Sequence, residues 1–364
     1  MSCLQNKIVV VGGGIIGCST AYYLTKLGHK NVTVVEAVEV AHAASGRAGG
    51  FLALDWCDGG VTGELARRSY QIHETLQAEL GVECGYRKMN TVSLELDTSD
   101  GKNKQRPCAA PEWVDGGVKS SEVIGTTKTT AQVHPRLLTK ALMAAAERAG
   151  ARLVQGRVIG GKTVKSDVAG VRTEDGRFIE ADVVILCLGP WTNQGLAWFN
   201  CDQKVVTGTR AHSITIMLEG ESSIDNTALF LACKGDPEVY PRPDNTVYVC
   251  GSTAAEHAPL PDHPADVILD QSACDAIKSL AGEVCQELRR AGRFTPSACY
   301  LPHSGDGVPI LGQVPGVGGL YMAGGHSCWG ILQGPATGEA MAELVITGAS
   351  QHLDLAHFDP ARLF

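Results

Sequence analysis

The stretch VVVGGGIIGCSTAYYL, residues 9–24, constrains this chain more than any other. An apolar run, KIVVV from Lys7, leads into Gly12, Gly14 and Gly17, and residues 15–27 then carry apolar side chains at helical spacing up to Gly28. NVTVVE follows as a second strand and ends on Glu36, nineteen residues beyond Gly17. A glycine fingerprint alone is weak. Between a strand and a helix, with an acidic residue closing the next strand, it specifies a dinucleotide site. Gly12 permits the tight turn, Gly14 lets backbone approach a pyrophosphate, and Gly17 lets the helix pack on the sheet. The helix start offers free N–H groups and the positive end of its dipole to phosphate. A carboxylate at Glu36 suits a ribose diol and repels a 2′-phosphate, so FAD or NAD fits and NADP does not.

The rest of the chain bears on that choice. A second glycine-rich loop running into a helix, GGHSCWGILQGPATGEAMAEL, occupies residues 324–344, and a small-residue segment containing SGRAGGFLA follows the second strand. A nicotinamide needs one such loop in a continuous block, whereas these extra loops imply a larger cofactor held at several points. The element order agrees. Strand–helix–strand units occur at the start, at 134–189 and at 320–347, with antiparallel-type strands such as SITIML and TVYVCGST between them. An amphipathic helix is expected over 62–80, a helix over 270–292, and a hairpin turning at Asp175-Gly176. The expected fold is α/β with α+β elements: a Rossmann-like FAD-binding domain assembled from 1–60, 131–200 and 295–364, interleaved with an antiparallel-sheet substrate domain from 61–130 and 201–294.

Other features narrow the function. A formal net charge of −8 argues against nucleic acid as a partner. No apolar run reaches transmembrane length, and six residues before the first strand leave no room for a signal peptide, so a cytoplasmic location is expected. Thirteen cysteines are scattered without a C-x-x-C, which favours reduced, mostly buried thiols and gives no metal-ligand spacing.

The chain resembles the FAD-dependent D-amino-acid oxidase superfamily, which includes glycine and sarcosine oxidases. The resemblance rests on the first fingerprint with Glu36, SGRAGG, VHPRLLTKAL, IEADVVILCLGPWT, PRPDNTVYVCG, SGDGVPILG and the second glycine-rich segment, all in the family's order. It implies FAD contacts at Gly12, Gly14, Ile15, Ile16, Gly17 and Glu36. It adds the loop Ser45, Gly46, Arg47, Gly49 and Gly50, with Val158 at the adenine and Gly189 and Trp191 after the third strand. It also implies that Gly325, His326, Gly330, Ile331 and Leu332 lie along the flavin ring. Gly334 and Pro335 are expected to start the last helix, aimed at the ring edge where reduced flavin carries negative charge. Substrate contacts are expected from Tyr240 and Arg242, the arginine pairing with a carboxylate, and from Arg210, His212 and Trp329. Cys299, seven residues before Asp306, sits where some sarcosine oxidases attach flavin covalently. Non-covalent FAD is nonetheless the expectation, because the loops supply many contacts.

No catalytic triad or carboxylate dyad is visible, as suits chemistry carried by a cofactor. The resemblance implies oxidation of a small amine or amino acid by hydride transfer to flavin N5, hydrolysis of the imine, and reoxidation by O2 or another acceptor. The alternatives are a flavin-containing binding or trafficking protein with little turnover, and a NAD-linked dehydrogenase.

Overall fold

All four residues of the first strand, Ile8–Val11, are buried, and alternate side chains enter different cores. Ile8 and Val10 join Val34 and Ile185 on one face, while Val9 and Val11 join Val35, Val184 and Leu186 on the other. A strand buried on both faces belongs in the middle of a covered parallel sheet. In a computed structural model describing residues 6–96, 109–233, 235–251 and 258–364, it lies fourth in a six-stranded sheet. The order there is Ile310–Gln313, Leu320–Gly324, Val183–Leu186, Ile8–Val11, Val32–Glu36, Arg152–Gln155. All neighbours are parallel except the antiparallel edge pair Ile310–Gln313 and Leu320–Gly324. The polar stretch TSDGKNKQRP at 98–107 lies outside the described residues.

One face of this sheet is covered by the helices Ile15–Lys26, Gly63–Leu80, Pro135–Arg148 and Gly330–Thr347. The other is covered by the antiparallel sheet Val158–Val164, Asp167–Thr173 and Phe178–Glu180, whose second hairpin turns through Gly176 at φ +87°. The first and last helices meet through small residues. A Cβ on Gly338 would overlap Ser19, and one on Gly334 would lie 2.7 Å from Ile15 Cγ1. Those two glycines, one turn apart, let the backbones of the two helices approach.

A seven-stranded sheet forms the second layer, in the order Arg293–Ser304, Val206–Met217, Thr246–Gly251, Glu238–Pro241, Ala228–Leu231, Thr91–Leu96, Val118–Gly125. It is mixed rather than purely antiparallel, because Ala228–Leu231 runs parallel to Thr91–Leu96. Its period-two pattern sends Ile214, Ile216, Val239, Val247 and Val249 into a core with Cys274, Ile277 and Ala281. The alternate residues face the other way.

The structure changes three of the expectations. Residues 270–292 form two helices, Gln271–Val284 and Gln286–Arg290, broken where buried Cys285 is extended at φ −152°, ψ 135°. Asp115 Oδ1 accepts the Gln286 N–H at 2.8 Å and satisfies the restart. The helix Gly63–Leu80, expected in the second domain, packs Leu65, Tyr70 and Leu76 into the core of the parallel sheet. The strand Arg293–Ser304, expected partly in the first, pairs along its whole length with Val206–Met217. A division drawn by sheet membership therefore exchanges these two segments.

Substituting Gly338→Val inserts a branched side chain where Ser19 already stands. We expect a loss of about 3 kcal/mol, the upper range for overpacking, measured as a drop in denaturation midpoint. Unchanged stability would show that the two helices are not held at this contact.

Candidate active site

The glycine turn is built by contact. Gly12 adopts φ +111°, closed to other residues at low cost, and a Cβ there would overlap Cys187 O. A Cβ on Gly17 would overlap Gly12 O in turn. Strand, turn and helix are thus locked so that the start of Ile15–Lys26 opens at the carboxyl ends of the strands. This helix has no side-chain N-cap and no acidic residue in its first turn. Ser45 Oγ accepts the Ile15 N–H at 2.9 Å from outside the helix. Glu36 is held by two backbone donors, Gly13 N at 2.7 Å to Oε2 and Val38 N at 2.9 Å to Oε1. Burial raises its pKa, while the N–H groups of Val38, Gly13 and Ala37 oppose that rise.

From this turn runs a cavity of about 590 Å³, within the size range of small-molecule sites. At one end stand Glu36, Arg157 and Val158. Its middle is lined by Gly12, Gly14, Ile15, Ile16, Ser45, Arg47 and Gly49, with Gly189 and Trp191 on the flank. Beyond them lie His326, Gly330 and Ile331, and then the second sheet's inward face, including Ser213, Glu238, Tyr248, Cys250, Cys299 and Leu301. Arg210 and His212 also line it. Most of the residues expected at the cofactor thus line this one cavity.

Others are placed elsewhere. Gly17, Gly46, Gly50, Gly325 and Leu332 lie outside the lining. A Cβ on Gly46 or Gly50 would overlap Ala41 O or Val133 O, so these two glycines serve chain packing. Arg242 is also outside. Its guanidinium sits over the Tyr248 ring, 5.0 Å from the centroid, and donates to Ala48 O at 3.0 Å, so it braces the loop at Ala48 instead of facing the cavity. Tyr240 is buried, stacked 5.7 Å from Phe51 and 6.0 Å from Tyr248, and donates its hydroxyl to Glu238 Oε2 at 2.6 Å. Trp329 packs edge-on to Trp56, at 6.3 Å, away from the cavity. Arg47 donates to Ala298 O in the second sheet, which places it beside Cys299. His212 accepts the Asp270 N–H at 3.1 Å through Nε2. His326 Nε2 pairs with Thr337 Oγ1 at 2.9 Å, and burial holds its pKa down at about 3, so it is a neutral, anchored ring.

The last helix begins at Gly330, not at Gly334, and Pro335 lies inside it. A proline there leaves Ile331 O without its helical donor. The next amide, Ala336 N, is diverted to Ser69 Oγ at 3.0 Å, which frees Leu332 O as well. His73, one turn beyond Ser69 on the helix Gly63–Leu80, repairs both. Its Nε2–H reaches Ile331 O at 3.0 Å and Leu332 O at 3.2 Å. The first turn, Gly330–Leu332, therefore stays helical and presents its N-terminal end, without a side-chain cap, to the cavity. Ser69 and His73 carry no local sequence signal. The clue was Pro335 in a helical pattern, which demands an outside donor.

This cleft suits a flavin dinucleotide. It has a half-buried carboxylate, Glu36, that suits a ribose diol, a glycine-built helix start that suits a pyrophosphate, and a second uncapped helix start on the same cavity. The fold and site together define a flavin-dependent oxidoreductase. The family described as FAD dependent oxidoreductase matches residues 7–344, and the chain belongs to that family. A protein of Schizosaccharomyces pombe named only for its class, as an oxidoreductase, is 33% identical over 389 residues, covering 98% of each chain. Glycine oxidase of Pseudomonas putida is 29% identical over 381 residues, covering 98% of this chain and 99% of that one. The structure of glycine oxidase from Geobacillus kaustophilus superposes with a TM-score of 0.79 at 22% identity, covering 97% and 98% of the two chains. The protein is thus an enzyme, with FAD as its cofactor. The described cysteines are all free thiols, and no helix among the described residues is long and apolar enough to cross a membrane.

Two expectations follow from these contacts. Burial pushes the His73 pKa from 6.5 down to about 4. The unfolded chain then binds the extra proton between those values. Stability from the neutral ring is complete above about pH 6.5 and is lost as pH falls toward 4, by about 3 kcal/mol over that span. His73→Gln keeps an N–H donor but does not titrate, so its stability should fall less steeply between pH 6.5 and 4. An unchanged slope would count against His73 as the titrating brace. Secondly, burial pushes the Cys299 thiol up to about 11 despite nearby Arg47, which keeps it unreactive at neutral pH. Acid precipitation should leave yellow colour in the supernatant, for Cys299→Ser as for the parent. Colour retained in the parent pellet and lost in the variant would show a covalent link.

Proposed function

We propose that the enzyme oxidises the C–N bond of a small amine or amino acid. The observation that carries this reading is the continuity of the cavity. It runs from the pyrophosphate turn, past the Gly330 helix start, to a polar patch on the second sheet formed by Ser213, Glu238, Cys250 and Cys299. That far end is where a substrate would meet the ring. Bound FAD supplies a two-electron acceptor for a hydride from the substrate carbon attached to nitrogen. The chain's own residues then have limited tasks. Glu36 and the Gly12–Ile16 turn hold the adenosine and pyrophosphate. The uncapped Gly330–Leu332 turn, braced by His73 and Ser69, sets positive dipole toward negative charge developing at that point. Tyr248 and Leu301 wall the pocket against water. Once the amine is neutral, no base is needed at the carbon that gives up hydride, and the resulting imine hydrolyses in water. O2 or another carrier takes the electrons onward. Glycine oxidases and, at the level of fold, iminodiacetate oxidase from Chelativorans sp. BNC1 are similar proteins whose names match this chemistry.

Anaerobic mixing with a panel of primary, secondary and cyclic amines and amino acids should bleach the flavin for at least one class. Bleaching by NADH or NADPH alone would contradict the reading. Gly14→Val should purify without flavin, because its side chain would crowd Ser45 Oγ, already 3.1 Å from a Cβ at that position, and fill the phosphate path. Retention of full flavin by this variant would place the pyrophosphate elsewhere.

A further inference from the structure

Glu238 is a carboxylate on the cavity wall that no sequence signal marks. It lies on the strand Glu238–Pro241, opposite Cys250, and shares the inward face of the second sheet with Tyr240 and Tyr248. Two donors converge on Oε2, Tyr240 Oη–H at 2.6 Å and Cys250 Sγ–H at 3.4 Å. Burial raises the Glu238 pKa above the usual carboxylate value, and these two donors, which favour the ionised form, oppose that rise. Oε1 has no hydrogen-bond partner, and Glu238 no ion pair, among the described residues. The nearby charge of Asp236, a second acid, does not neutralise it. Arg47, on the same cavity, donates to Ala298 O. Cys328, in the short 3-10 turn Ser327–Trp329 before the last helix, lines the same cavity.

A half-buried carboxylate with one oxygen unpaired among the described residues, on the wall of a cavity, suits a donor there, and a cationic donor suits it best. We propose that Glu238 is the substrate-recognition residue of this cavity and that it selects a cationic amine over a carboxylate-bearing amino acid. The inference rests on the amine-oxidation reading and names the substrate class within it. The substrate ammonium donates to Oε1. It passes one proton to that oxygen, which leaves a neutral amine. The hydride then leaves the adjacent carbon for FAD with two electrons, and the C–N single bond becomes C=N. Tyr240 is a positioning residue, since its hydroxyl fixes Oε2 and turns Oε1 toward the cavity.

The test separates binding from turnover. The holoenzyme is titrated with tert-butylammonium, a cation with no hydrogen on the carbon beside nitrogen, and with pivalate, its carboxylate counterpart of similar shape. The readout is perturbation of the flavin absorption spectrum. We expect the cation to bind at least tenfold more tightly than pivalate, and Glu238→Gln to lose at least tenfold of that affinity while keeping its flavin. Tighter pivalate binding, no perturbation by either compound, or a Glu238→Gln variant with full flavin and unchanged cation affinity would each overturn the proposal. If Glu238→Gln does not retain flavin, the comparison of cation with pivalate on the parent enzyme decides. Flavin bleaching by amino acids, with no preference for the cation over pivalate, would leave amine oxidation standing and remove Glu238 from recognition.

Discussion

Everything in this molecule depends on how closely backbone can approach backbone around residues 12–17. The Gly12 turn touches Cys187 O, and Gly17 rests on Gly12 O. These contacts fix the first helix against the central strands. They also fix the direction of its N-terminal end, which is what makes the cleft an anion site. The same helix then serves as the floor for the last one, through Ile15 against Gly334 and Ser19 against Gly338. The two helix starts that line the cavity are therefore set relative to each other by one packing interface. A chain that lost this interface would lose the relative placement of the two helix starts that line the cavity.

The second dependence is on repair of a broken helix. Pro335 opens the hydrogen-bond ladder in the second turn of the last helix, and Ser69 and His73 close it from a neighbouring helix. The cost of a proline inside a helix is about 3 kcal/mol when nothing compensates. Here the freed carbonyls have a buried neutral imidazole to accept from. The arrangement ties the geometry of the cavity-facing turn to the helix Gly63–Leu80, which contributes no residue to the cavity lining.

Much of this was legible in the sequence because it is local. The glycine turn, the flanking strands, Glu36, the hairpin at Gly176 and the first helix, expected over 15–27, each follow from spacing and turn chemistry within about twenty residues. What escaped was non-local. The last helix starts four residues earlier than its Gly-Pro pair suggests, because the donors that tolerate Pro335 lie more than 250 residues away. Arg242 and Tyr240 have the right chemistry for a substrate. Yet strand register places one over the Tyr248 ring and ties the other's hydroxyl to Glu238. Glu238 itself looks like an ordinary strand-edge acid until the pairing with Cys250 shows which way the strand faces.

The central claim is that one cleft holds FAD lengthwise, adenosine at Glu36 and Val158, ring between the Gly330 helix start and the sheet face carrying Glu238. A crystal structure of the purified yellow protein tests this most directly. The account predicts electron density for FAD in that orientation, with the pyrophosphate at the amides after Gly14 and the pyrimidine edge of the ring at Gly330–Leu332. Flavin in the reverse orientation, or a ring seated away from the Gly330 turn, would contradict it.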